Sequence, residues 1–75
     1  MGTADLEERL AMADRHVADG ERVVARQRGL LFGLRPGGRG EAIGRALLGQ
    51  FEELLARHKA HRDELRRELQ SRDDH

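Results

Sequence analysis

Seventy-five residues with no cysteine allow one small domain and exclude a disulfide framework and any cysteine-ligated metal cluster. Charged residues make up 37% of the chain, yet Lys+Arg at 14 and Asp+Glu at 14 cancel to a formal net charge of zero, where a dedicated nucleic-acid binder shows a basic excess. A chain this short buries only roughly 60% of its unfolded surface, so oligomerisation or a histidine-held metal is left as the means of stabilising it.

Stepping from Leu6 by four and then three gives Leu6, Leu10, Ala13, Val17, Gly20, Val24, Gln27, Leu31 and Leu34. All are apolar or small except Gln27, which is the alternation of a heptad seam. Val23 and Leu30 widen the stripe on one side, as a bundle requires. The pattern predicts a first helix over about residues 4–34. Thr3 is expected to cap it, with Asp5, Glu7 and Glu8 in the first turns, where the helix dipole favours acids.

Pro36 disfavours helical geometry at Arg35, and Gly37-Gly38 permits conformations other residues avoid, so the turn is predicted at 35–40. The second helix, about 41–70, carries Ile43, Leu47, Leu48, Phe51, Leu54, Leu55, His58, Leu65 and Leu69. Residues 71–75 are expected to fray. The longest apolar run is Leu30-Leu31-Phe32, too short to span a bilayer. The first nine residues lack a signal-peptide pattern, and a cytoplasmic location is expected.

Folding the chain about Pro36 pairs residues whose numbers sum to 75: Leu6 with Leu69, Leu10 with Leu65, Val17 with His58, Gly20 with Leu55, Val24 with Phe51 and Gln27 with Leu48. The fold class is therefore all-α, an antiparallel, coiled-coil-like two-helix hairpin. Two helices cannot enclose a core. Met12, Val23, Leu30, Leu47 and Leu54 lie beside the seam as an apolar strip, which marks an interaction surface. A homodimer closing into a four-helix bundle is predicted, or docking of a helical protein partner.

The stretches Leu6–Glu21 and Phe51–Leu65 resemble a group of short helical-hairpin proteins of alphaproteobacteria. The likeness spans about half the chain and implies a hairpin fold and no known activity. It ends at the turn, where Pro36-Gly37-Gly38-Arg39-Gly40 replaces a Gly-His-Asp type of loop.

Three features bear on chemistry. His58 lies in the stripe, His61 follows at the i, i+3 spacing of helical metal ligands, and His16 is one position from the Val17 that faces His58. A polar core layer fixing register is the favoured reading of these histidines over a metal site. Arg28, Arg35, Arg39 and Arg45 belong to a basic tip. Residues 22–45 hold six arginines against Glu41 alone, a local charge of +5, while residues 1–21 sum to −4. Such a tip suits phosphate, but complementing the dipole of the first helix and keeping the turn soluble is the favoured role. Gly29/Gly33 and Gly40/Gly44 have the spacing that lets helices approach closely, or simply weaken helix near the tip. The only hydroxyls are Thr3 and Ser71, and the carboxylates sit at salt-bridge spacing, so no enzyme chemistry and no cofactor is expected. The leading expectation is a non-enzymatic interaction protein. A nucleic-acid-binding bundle using the tip and a histidine metal-binding bundle are the alternatives.

Overall fold

A computed structural model describes residues 3–73 of the chain. It holds two helices, α1 (Ala4–Phe32) and α2 (Arg39–Asp73), packed antiparallel into a rod of 57 × 13 × 13 Å. No strand is present among the described residues. None of their helices is long and apolar enough to cross a membrane.

The helix ends differ from those expected. Thr3 does not cap α1 through its side chain. Its hydroxyl donates to the Glu7 carboxylate at 2.9 Å, and its carbonyl accepts the Glu7 N–H at 2.8 Å. The Glu7 side chain thus takes up the hydroxyl that would otherwise turn towards the free amides. At the far end α1 stops at Phe32, two residues short of Leu34. Continuing the helix would need an N–H at position 36 for the Phe32 carbonyl, and proline has none. The last turn tightens instead, with Gly33 and Leu34 N–H groups bonded to the Leu30 and Leu31 carbonyls, each at 3.2 Å.

The reversal occupies four residues. The Gly38 N–H donates to the Arg35 carbonyl at 3.2 Å, with Gly37 at φ 75°. Proline second and a positive-φ glycine third are the signature of a type II turn. Because the reversal is complete at Gly38, Arg39 and Gly40 already belong to α2, which begins two residues earlier than expected. The Gly38 carbonyl accepts the Ala42 N–H at 3.3 Å, and the Glu41 carboxylate accepts the Gly37 N–H at 3.1 Å. At the other end α2 runs to Asp73, so residues 71–73 are helical; residues 74 and 75 lie outside the described ones.

The seam packs in the expected register. A side chain on Gly20 would meet Leu55 Cδ1 at 3.0 Å, and one on Gly44 would meet Leu31 Cδ2 at 2.6 Å. Each glycine is therefore the socket for a leucine of the facing helix, once in each direction, and both pairs keep the sum of 75. The core is split in two. Leu6, Ala13 and Leu65, with Leu10 and Leu69, fill the open end, while Val17, Val24 and Leu55, with Leu48 and Phe51, fill the half nearer the turn. Arg62 falls at a seam position in the same register, opposite the small Ala13. Its side chain is mostly covered, and its Nε donates to the Asp63 carboxylate at 3.0 Å. A long side chain can lie along an apolar seam in this way and still bring its charge to the edge.

Candidate functional site

The two edges of the seam are chemically different. On one, three ion pairs cross between the helices: Asp14–Arg66 at 3.5 Å, Glu21–Lys59 at 3.8 Å and Arg28–Glu52 at 3.1 Å. Their residues recur every seven positions on both helices, so they form a single charged ladder. The salt-bridge spacing of the carboxylates in the sequence concerns neighbours within one helix and does not disclose it. Of the pairs at i, i+4 spacing, Glu41–Arg45 at 3.7 Å and Glu68–Arg72 at 3.6 Å are formed. Continuing the heptad frame to the positions just beyond Ala13, Gly20 and Gln27 would have revealed the ladder.

On the opposite edge no such ladder is formed among the described residues. Val23 and Leu54 face each other across an open groove of about 260 Å³, with Gly20, Phe51 and Leu55 also lining it. Seven residues nearer the turn, the equivalent positions are Leu30 and Leu47. All four are substantially exposed, Leu30 at 57% and Leu54 at 49%, and Met12 on the same side is exposed too. These are the five residues expected as an interface, and the structure leaves every one uncovered. Ile43, expected within the apolar stripe of α2, is also exposed. It sits one position before the Gly44 socket, which turns it outward beside Leu47.

His16 and His58 close one end of the groove. Their rings meet with centroids 5.2 Å apart, tilted by 49°. His58 is half-buried, whereas His16 and His61 are exposed. Two of the three candidate ligands thus come together. Among the described residues no group of three His, Asp or Glu side chains is arranged to hold a metal ion. A further polar member of the seam, Gln27, is half-buried and donates to the Gly44 carbonyl at 3.0 Å.

At the turn the basic residues separate into two kinds. Arg28 and Arg45 are engaged with Glu52 and Glu41. Arg35 and Arg39 are exposed and, among the described residues, have no carboxylate within ion-pair distance. Phe32, the last residue of α1, is 92% exposed and borders an open groove with Arg28, Pro36, Glu41 and Arg45. Comparison with protein families, with characterised proteins and with solved structures finds no match to this chain.

Proposed function

We propose that this chain is a non-enzymatic interaction protein, a helical hairpin that self-associates so that two copies form a four-helix bundle. The observation that carries the reading is the asymmetry of its two edges. One is occupied by the ladder of ion pairs, and the other presents Val23, Leu30, Leu47 and Leu54 to solvent. Covering the exposed half of such a side chain contributes about 1 kcal/mol. Four such residues on each of two copies contribute about 8 kcal/mol in all, the same order as the cost of association.

The test is the mass in solution with and without one charge in the strip. The unaltered chain is expected at twice 8.5 kDa in sedimentation equilibrium at micromolar concentration. Leu54→Glu is expected to be monomeric, because a carboxylate there would be buried without a partner. A monomeric parent chain defeats the proposal.

A second reading rests on the tip. Phe32 stands exposed at the end of α1, a few residues along the chain from the exposed Arg35 and Arg39, and an exposed aromatic in a basic turn is the combination that stacks on bases and contacts phosphate. Salt-sensitive retention on single-stranded RNA, weakened by Phe32→Ala and abolished by Arg35→Ala with Arg39→Ala, would support it. Retention unchanged by Phe32→Ala would reduce the tip to a nonspecific charge patch.

A further inference from the structure

We infer that the occupant of the apolar edge is a second copy of this chain lying tip to tip with the first. In this arrangement the two-fold axis runs along the rod, and α1 of one copy packs against α2 of its partner. The inference rests on the self-association proposed above and adds its geometry.

The order of side chains along that edge favours this geometry. By the seven-residue repeat, the edge positions on α1 and α2 fall into successive layers from the turn: Leu30 with Leu47, Val23 with Leu54, His16 with His61, and Arg9 with Glu68; Val23 and Leu54 line one groove, and the His16 ring lies against His58. Each layer lies seven residues from the last, which is about 10 Å along the rod. Two layers are apolar, one is imidazole and one joins a cation to an anion. A two-fold axis along the rod keeps each layer opposite itself. Leucine and valine then meet leucine and valine, the histidines meet one another, and Arg9 faces the opposite charge of Glu68 in the partner. The contact extends over all four layers.

The reversed arrangement, tip over open end, cannot do this. If it pivots on the Val23/Leu54 layer, Leu30 and Leu47 come to lie against His16 and His61 of the other copy. If it pivots between the two apolar layers, only the turn-proximal halves overlap and the histidine and Arg9/Glu68 layers lie outside the contact. Against the tip-to-tip arrangement stands the repulsion of two basic tips. Those charges are exposed and are screened over about 8 Å at physiological salt, whereas the apolar mismatch of the reversed form is not relieved by salt.

The cysteine-free chain lends itself to a direct test. Val23→Cys and Leu54→Cys are made singly, at exposed positions, and each is confirmed as helical by circular dichroism. The two are equilibrated alone and mixed in a glutathione buffer. The expected result is a disulfide between the two different chains in the mixture, exceeding either self-linked product by more than tenfold, because position 23 faces position 54 of the partner. Self-linked product from Val23→Cys alone as the main species would overturn the tip-to-tip geometry while leaving self-association intact. A dimeric mass without any cross-link would likewise overturn it, the copies then meeting on another surface or about an axis between the two apolar layers. A parent chain that sediments as a monomer would remove the self-association on which this rests.

Discussion

Glycine does two opposite things in this hairpin, and position alone decides which. Gly49 is exposed in the middle of α2, with nothing within 4 Å of where a Cβ would lie. There it only weakens the helix, and Gly49→Ala should stabilise the fold by about 1 kcal/mol through propensity. Gly44 is buried in the same helix, and its missing side chain is filled by Leu31. Gly44→Ala gains the same propensity but forces Leu31 from its socket, and such overpacking costs about 1–3 kcal/mol. Urea midpoints should therefore rise for Gly49→Ala and stay level or fall for Gly44→Ala. An equal rise in both would mean that Leu31 does not seat on Gly44. Gly37 is a third case, since its φ of 75° suits no other residue well. Gly37→Ala should destabilise by about 1 kcal/mol.

Between the two helices, the contributions differ sharply in size. The ladder pairs are all exposed on at least one partner, and exposed pairs contribute roughly 0.2–1 kcal/mol each. Glu21→Lys, which sets like charges at Lys59, should cost less than about 1 kcal/mol and nothing measurable in 1 M salt, where screening falls to about 3 Å. A larger, salt-resistant loss would make the ladder a main support of the hairpin. Arg62 offers a test in the other direction. It interrupts the seam between the two apolar clusters, so Arg62→Leu should join them and stabilise by on the order of 1 kcal/mol. Thermal midpoints at fixed concentration would decide, and a fall would show that the Arg62–Asp63 contact matters more than continuity of the core. The seam itself was legible in the sequence because a seven-residue repeat and a single Pro-Gly-Gly break leave one antiparallel register to satisfy both helices. What was not legible depends on atoms brought together only by folding. The ion ladder needs the register before its partners can be named, and the Gly44 socket looks in sequence like any other helical glycine; the early stop of α1, by contrast, could have been read from Pro36, four residues beyond Phe32. His16 and His58 were expected as neighbours, but that His61 faces outward follows from its place on the edge of the seam.

At the scale of the whole rod, charge and apolar contact make opposed demands, and the response to salt tells which one orders the assembly. Residues 22–45 carry +5 and residues 1–21 carry −4, so the molecule is electrically polar along its length. A pairing governed by that polarity would set tip over open end, and salt would weaken it by screening the attraction. A pairing governed by the apolar layers sets the tips together, and salt should strengthen it by screening their repulsion, while leaving the burial of Val23, Leu30, Leu47 and Leu54 unaffected. The tip-to-tip dimer is thus expected to tighten several-fold between 50 and 500 mM sodium chloride, read as the dissociation constant in sedimentation equilibrium. Its thermal midpoint should also rise with protein concentration, as it must when folding and association are coupled. Dissociation promoted by salt would reverse the ranking and make the long-range charge pattern the organising force.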